Sequence, residues 1–311
     1  MNAALTYLAA ARARKNLVLL PNTLVDRILI EKGRATGVRA SDGQVHRADE
    51  TVLAAGAYGS PAILLHFGIG PASHLRELTI PVVSDLPGVG AHLLDHPLVI
   101  DGLGQYVVRS GYEPEMTMTP FLPLMIMARS SRAREEIDLA VLLGQYFDQK
   151  LGAWVSFPMV SLLGSRSEGR VRLTSADTEA PLDIRHSHLD EQADLEAITD
   201  GVELVTELLS STPLTEALDL LPDSKPAWSS RDEFRAWLRR HVGTMFHPSG
   251  TCHMAPAANS LGVVDYVGRL RGLSNLRVAD AAIFPTIPRA TIHFAVVAAA
   301  EKLADALARG S

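Results

Sequence analysis

Eight consecutive residues, His-Pro-Ser-Gly-Thr-Cys-His-Met at 247–254, bring together side chains suited to three different chemistries. His247, Cys252 and His253 could ligate a metal ion. Cys252 could instead act as a nucleophile with a histidine as its base. His247 could transfer a proton near neutral pH, because Pro248 and the glycine that follows would hold it on a rigid turn.

The rest of the sequence gives unequal support to these three alternatives. A structural zinc site usually has two pairs of ligands, and the chain has no second cysteine to complete one. A lone cysteine beside a Gly-Thr turn is more often a small buried hydrophobe than a nucleophile. The G-x-S-x-G pattern of a serine hydrolase is absent. We therefore favour proton transfer by His247 and predict no metal ion bound by these residues, while a nucleophilic Cys252 stays as a less favoured alternative.

A second histidine strengthens the case for proton transfer. His293 follows His247 after a strand-like stretch, Asn-Leu-Arg-Val-Ala-Asp-Ala at 275–281. The loops that carry the two histidines flank this stretch and could converge in space. We expect His247 and His293 to converge at one pocket.

The composition indicates a globular protein and excludes several classes of function. Of 311 residues, 47% are hydrophobic and 21% are charged; the net charge is −6, and no long basic run is present to bind nucleic acid. No apolar run reaches the roughly 20 residues that span a bilayer, and no signal peptide is recognised. A single cysteine allows no intrachain disulfide, so we expect a cytoplasmic location.

Turn residues divide the first part of the chain into helix, strands and helix. An alanine-rich helix is predicted over 2–16. The stretch Glu-Thr-Val-Leu-Ala-Ala-Gly at 50–56 predicts a strand that leads through a tight turn into another helix. Between them, short strands are predicted, with breaks at Pro21-Asn22, Lys32-Gly33 and Asp42-Gly43.

The middle of the chain predicts a second, mostly antiparallel sheet with helices covering it. Strand-length apolar runs occupy about 98–185. Apolar residues at helical spacing predict a helix over 189–210, and Ser230 with Glu233 predicts the start of another. A final helix is predicted over 295–308. We expect an α/β protein of two domains. Residues 1–95 and 241–311 form one domain, and residues 96–240 form a second domain that is inserted in the sequence of the first.

Four stretches, in this order, resemble the glucose-methanol-choline (GMC) flavin oxidoreductases. They are AAGAYGSPAILLHFGIGP (54–71), LPGVGAHLLDHP (86–97), FHPSGTCHM (246–254) and NLRVADAAIFPTIPRATIH (275–293). The resemblance implies a Rossmann-like FAD-binding domain, a substrate domain built on an antiparallel sheet, and oxidation of the CH–OH group of an alcohol. It makes His247 the base that takes the hydroxyl proton while hydride leaves for flavin N5. His293 would hydrogen-bond the same oxygen.

The same resemblance implies which residues contact FAD. Val25 matches a position that contacts the adenine end through its backbone. Asp280 and Ala281 match the segment along the pyrophosphate and the ring. Thr291 and Ile292 match the pair that meets the ring system.

One expected feature of a dinucleotide-binding protein is missing. No complete G-x-G-x-x-G is present, and Gly-Val-Gly-Ala-His-Leu at 88–93 lacks the third glycine and follows a proline. We expect the chain to match the back portion of such an enzyme, either as a portion of a longer protein or with a partner chain that carries the N-terminal FAD-binding segment. The alternative is a truncated or split half-protein, inactive without that partner. Asp95 and His96 are interpreted as a structural turn, and surface or packing roles are assigned to His66, His186, His188 and His253.

Overall fold

The computed structural model of the protein describes residues 3–113, 122, 124–222, 224, 228 and 230–310. The strands are β1 Val25–Glu31, β2 Arg34–Ala40, β3 Val45–Arg47, β4 Thr51–Leu53, β5 Ile69–Gly70, β6 Ser84–Asp85, β7 Pro97–Val99, β8 Tyr106–Val108, β9 Leu124–Ala128, β10 Leu139–Asp148, β11 Ala153–Leu162, β12 Arg170–Arg172, β13 Asp183–Arg185, β14 Leu218–Leu220, β15 Gly243–Thr244 and β16 Leu276–Val278. The α-helices are α1 Ala9–Ala11, α2 Gly56–His66, α3 Ala72–Glu77, α4 Gln192–Leu209, α5 Thr212–Ala217, α6 Arg231–His241 and α7 His293–Ala308. Within these described ranges, no helix has the length and apolarity to cross a membrane.

The strands β1, β2 and β3 form an antiparallel meander. Lys32 and Gly33 join β1 to β2 with φ of 50° and 76°. A two-residue loop with both residues in the left-handed region fits the twist of a hairpin, and glycine adopts that region readily. These strands and the turn between them confirm the sequence prediction.

The strand, turn and helix predicted around 50–56 are also confirmed. β4 pairs in parallel with β16, and α2 begins at Gly56. The other edge of β16 is covered, because Leu270 N–H donates to the Leu276 carbonyl at 2.8 Å and Val278 N–H donates to the Gly268 carbonyl at 2.9 Å. In the described part of the chain, β4 pairs with no strand on its other edge.

The middle of the chain forms the predicted antiparallel sheet. β10 and β11 pair from Leu139 opposite Leu162 to Asp148 opposite Ala153. β9 pairs with β10, while β7 and β8 pair with β11 and β14 pairs with β8. Helix α4 packs against β10 and β11.

Helix α6 begins where its sequence predicted. The Ser230 hydroxyl oxygen accepts the backbone N–H of Glu233 at 3.2 Å. An oxygen at this position satisfies one of the free N–H groups of the first turn. The predicted cap is therefore confirmed.

Two large clusters of buried apolar side chains stabilise these elements. One combines residues from both ends of the chain, among them Ile28, Leu64, Val264 and Leu303. The other joins the antiparallel sheet to its helices, with Val99, Leu139, Val160, Ile198 and Trp237. The division into 1–95, 96–240 and 241–311 stays a prediction, and Leu173 from its middle part packs in the first cluster.

The N-terminal helix is shorter than predicted. The helical residues end at Ala11 rather than at 16, the turn at Ala4–Leu8 is a π-helix, and none of these residues is buried. An isolated helix of fewer than about 12–15 residues is marginal in water even when rich in alanine. The prediction from alanine content was wrong in extent because no packing supports the remaining turns.

The segment that leads to Asp95 passes between two other parts of the chain at Gly90. The Gly90 N–H donates to the Thr251 carbonyl at 2.9 Å, and its own carbonyl accepts the Val171 N–H at 2.7 Å. Gly90 has φ of 77°, and a Cβ placed there would lie 2.2 Å from the Val171 carbonyl oxygen. Both the backbone conformation and the close approach therefore require glycine.

We predict that Gly90→Ala lowers the free energy of unfolding by about 3 kcal/mol, from overpacking added to backbone strain. Gly33→Ala is the matched control, because Gly33 has φ of 76° and open space where its Cβ would lie. The control should lose only about 1 kcal/mol. Urea unfolding followed by circular dichroism measures both values. Equal losses in the two variants would contradict the importance of the close approach at Gly90.

Candidate active site

Two chain segments run antiparallel and bring Asp95 and His96 beside His247. β15 pairs with β7, with Thr244 opposite Pro97. Further along, Leu94 and Ser249 exchange two backbone hydrogen bonds of 2.9 Å. The residues that lie between these two pairs on the two segments are therefore held close together.

Asp95 is buried at the centre of this arrangement, where its carboxylate accepts hydrogen bonds from both segments. Oδ1 accepts the backbone N–H of His96 at 2.7 Å and that of His247 at 3.0 Å. Oδ2 accepts the Thr244 hydroxyl. A buried charge is tolerated when such donors surround it. Asp95 therefore positions His247, a role that its interpretation as a simple turn residue had missed.

The residue before His247 has a strained backbone. Phe246 has φ of 60° and its side chain is 82% exposed. Its N–H donates to the Thr244 hydroxyl oxygen at 2.8 Å, and that hydroxyl donates in turn to Asp95. A bulky residue in the left-handed region persists only where its surroundings hold it, and such strain is common at functional sites.

The imidazole rings of His96 and His247 form a hydrogen-bonded pair, with 2.8 Å between their Nδ1 atoms. Burial, followed by the neighbouring His247, lowers the pKa of His96 to about 4, so His96 is neutral at pH 7. Burial also lowers the pKa of His247, while the charge of Asp95 acts in the opposite direction. A neutral imidazole has one N–H and one lone pair.

The neighbour of His96 decides which nitrogen of each ring carries the proton. The Pro288 carbonyl oxygen lies 3.1 Å from His96 Nε2. A carbonyl can only accept, so His96 is protonated on Nε2 and its Nδ1 has the lone pair. His247 must then donate from Nδ1, which leaves the lone pair of His247 on Nε2. Among the described residues, none forms a hydrogen bond with that Nε2.

His96 also connects His247 to the loop before α7. Pro288 lies in this loop, five residues ahead of His293. Ile292 packs with Leu94, next to Asp95. His293 is the first residue of α7 and is exposed, with the ring of Phe294 5.5 Å away. The structure thus ties the two predicted histidine loops together through His96, while the joint action of His247 and His293 stays a prediction.

Asp280 joins the end of β16 to the start of α2. One carboxylate oxygen accepts the Gly56 N–H at 2.9 Å and the Ser60 hydroxyl at 2.5 Å. The other accepts the Ala282 N–H at 2.8 Å. An acid at a helix N-terminus is favoured by the helix dipole. The described contacts of this carboxylate are all internal, so a cofactor contact from Asp280 would come from its main chain.

The other predicted FAD contacts lie at two places in the fold. Val25 lines an open cavity of about 490 Å³ together with Ala54 and Ala55, which follow β4. Ala281 and Ile292 are buried in one small apolar cluster, and Thr291 beside them is exposed. Ligands of open α/β sheets bind beyond the carboxyl ends of parallel strands, which is where this cavity begins. The contacts themselves stay predictions.

Cys252 and His253 are part of the packing around this site. Cys252 is fully buried, and burial raises the pKa of its thiol well above the usual value. A thiol held neutral in this way is a poor nucleophile and a poor metal ligand. The ring of His253 is tilted against that of His92, with ring centroids 4.6 Å apart.

We predict that Asp95→Asn lowers the pKa of His247 further below its usual value. The negative charge of Asp95 favours the imidazolium form, and the amide removes that charge while keeping the size of the side chain. A ¹H–¹⁵N NMR titration of the histidine rings measures the pKa in both proteins. Asp26→Asn, a half-buried acid outside this site, is the control. A His247 pKa that is unchanged or higher in Asp95→Asn would contradict the coupling.

Comparison with known proteins identifies the family of this chain. Two family models described as GMC oxidoreductase match residues 1–98 and 165–300. Oxygen-dependent choline dehydrogenase of Pseudomonas aeruginosa (strain LESB58) is 31% identical, over 96% of this chain and 58% of that protein. Oxygen-dependent choline dehydrogenase 1 of Chromohalobacter salexigens is 30% identical, with the same coverage. The chain therefore spans less than two thirds of the length of these relatives.

Solved structures show the same fold. Pyridoxine 4-oxidase from Mesorbium loti is 29% identical with a TM-score of 0.84, covering 98% of this chain and 61% of that one. Formate oxidase of Aspergillus oryzae, studied for modification of its FAD, has a TM-score of 0.83 at 22% identity, over 95% of this chain and 61% of its own. The predicted fold class is confirmed. The chain belongs to the GMC oxidoreductases, a family of FAD flavoproteins.

Proposed function

We propose that this chain forms the alcohol-oxidising part of an FAD-dependent GMC oxidoreductase, with His247 as the catalytic base. The supporting observation is the tautomer of His247, whose Nε2 lone pair is left available by the hydrogen bond from Nδ1 to His96. The substrate class is a small alcohol. Choline and pyridoxine, after which the relatives are named, both carry hydroxyl groups.

Proton transfer at His247 is the step that the protein's own residues perform. Nε2 accepts the hydroxyl proton of the alcohol, and the resulting imidazolium is stabilised by the nearby Asp95 carboxylate. The lowered pKa of His247 keeps the ring neutral and ready to accept at pH 7. His293, at the start of α7, donates a hydrogen bond to the same oxygen and stabilises its developing negative charge.

The residues around the open cavity fit an FAD contact surface. Val25, Ala54 and Ala55 line the cavity. The adenine end of FAD would lie there, beside the backbone of Val25. Gly56, at the N-terminus of α2, has φ of 82° and open space where a Cβ would lie. Asp280 and Ala281 through their main chain, with Thr291 and Ile292, would hold the remaining length of the cofactor. When bound, FAD supplies the acceptor for the hydride that leaves the alcohol carbon.

The open edge of β4 supports a docking place for a further FAD-binding segment. β16 is covered on both edges, whereas β4 is paired only with β16 in the described residues. Val52, in the middle of β4, is exposed, and unpaired strand edges readily accept another strand. We propose that a partner chain carrying the glycine fingerprint supplies this strand. The single cysteine of the chain supports the cytoplasmic location that we propose.

The second candidate is a half-protein that is inactive until the partner binds. It is favoured by the absence of a complete glycine fingerprint, whose helix N-terminus contributes strongly to pyrophosphate binding. Mixing the purified chain with FAD tests whether it needs this partner. We expect no bound flavin absorbance after gel filtration of the chain with FAD, and recovery of absorbance when a segment bearing the fingerprint is added. Retention of FAD by the chain alone would contradict the need for a partner.

The role of His247 is tested in the flavin-loaded assembly. We expect His247→Gln to slow alcohol-dependent bleaching of the flavin by about 10²–10⁴-fold, the usual contribution of a general base. Anaerobic stopped-flow absorbance measures the rate. His66→Gln is the control, because His66 is half-buried outside the site, and its rate should stay within two-fold of the unmodified protein. Bleaching by His247→Gln at the unmodified rate would refute the assignment.

A further inference from the structure

Three side chains next to the candidate active site are arranged around a common point. Asp95, His186 and His188 each offer one ligand atom, and these atoms all lie within 4.8 Å of one another. Asp95 is completely buried, and both histidines are half-buried. The mechanism proposed above uses neither histidine.

One nitrogen of each histidine has no hydrogen-bond partner among the described residues. Both His186 Nδ1 and His188 Nε2 are buried and form no hydrogen bond with any described residue, although the Asp95 carboxylate lies close to His186 Nδ1. A buried polar atom without a partner is destabilising, so a missing ligand is a physical explanation for both.

The separation between two of these ligand atoms matches metal coordination. Asp95 Oδ2 lies 3.3 Å from His186 Nδ1. Two atoms bonded to one tetrahedral Zn²⁺ at 2.0–2.1 Å are about 3.3 Å apart. Oδ2 accepts only the Thr244 hydroxyl from the described residues, so a lone pair remains for an ion.

A neighbouring hydroxyl orients the His186 ring. Tyr58 Oη lies 3.1 Å from His186 Nε2. When Nε2–H donates to this oxygen, the lone pair of the ring lies on Nδ1 and faces Asp95. Metal-bound histidines are held in the same way, with the second nitrogen donating to an oxygen outside the coordination sphere.

We propose that Asp95, His186 and His188 bind one Zn²⁺ ion, with Tyr58 orienting His186 and the fourth position open to water. Two imidazoles and one carboxylate form a ligand set that Zn²⁺ prefers, with three protein ligands as in sites that keep an open position. The ion binds one residue away from His96 and shares Asp95 with the backbone N–H of His247.

The test measures metal binding by the 311-residue chain after dialysis against a chelator. Isothermal titration with Zn²⁺ should give one site, and Co²⁺ should give the intense visible bands of a tetrahedral site. We expect His186→Asn and His188→Gln each to weaken Zn²⁺ binding by more than about 100-fold, and Tyr58→Phe by about 10–100-fold. His66→Asn is the control, since His66 Nδ1 is also buried without a partner but lies outside the cluster. It should bind Zn²⁺ as the unmodified chain does.

Two results would overturn the proposal. If the unmodified protein shows no saturable Zn²⁺ site, Tyr58, His186 and Asp95 form a hydrogen-bonded triad that binds no metal. Binding that survives both histidine substitutions would be adventitious. Should a variant fail to fold, as judged by circular dichroism, zinc-edge X-ray absorption of the unmodified chain decides the matter. Two imidazole ligands in that spectrum support the proposal, and fewer than two contradict it.

Discussion

The carboxylate of Asp95 lies buried between two segments that are 152 residues apart in sequence at His247. It accepts backbone N–H groups from both, and it fixes Thr244, which in turn holds the strained Phe246. A buried carboxylate cannot lose these donors without a large desolvation penalty. The position of His247 is therefore set by main-chain contacts, while its ring is free to act chemically.

His96 transmits this constraint from the backbone to the imidazole of His247. Its Nε2 is directed at the Pro288 carbonyl, and its Nδ1 at His247. The loop before α7, the Asp-His-Pro segment and the His-Pro-Ser-Gly segment are thereby joined through one neutral ring. Proton acceptance at His247 Nε2 follows from this connection, because a protonated His96 or a different tautomer would reverse the hydrogen bond.

Much of the fold could be predicted from local sequence. The turn at Lys32-Gly33, the cap at Ser230 and the strand and helix around Gly56 each depend on residues that are close in the chain. His247 and His293 could be singled out by motif, although their joint action is untested. Asp95 and His96 were missed because their partners are distant in sequence, and only the pairing of β7 with β15 brings them together. The two His-Pro dipeptides, at 96–97 and 247–248, were a clue available in the sequence.

The same limit applies to the cluster around Asp95 and to the length of the first helix. His186 and His188 lie in a turn with no sequence pattern of metal ligands, and their unpartnered nitrogens become visible only in three dimensions. The predicted length of the N-terminal helix was wrong for the opposite reason. Its local helix propensity is favourable, but none of its residues is buried. Helix and strand propensities and local motifs thus predicted the secondary structure elements, whereas burial and long-range strand pairing determined the geometry of the site.

The tautomers of the histidine pair provide the most direct test of this account. Long-range ¹H–¹⁵N correlation spectra of the chain at pH 7 distinguish a protonated nitrogen from one with a lone pair in each ring. We predict two neutral rings, with His96 protonated on Nε2 and His247 protonated on Nδ1. A His247 ring that is protonated on Nε2, or a charged ring at either position, would contradict it.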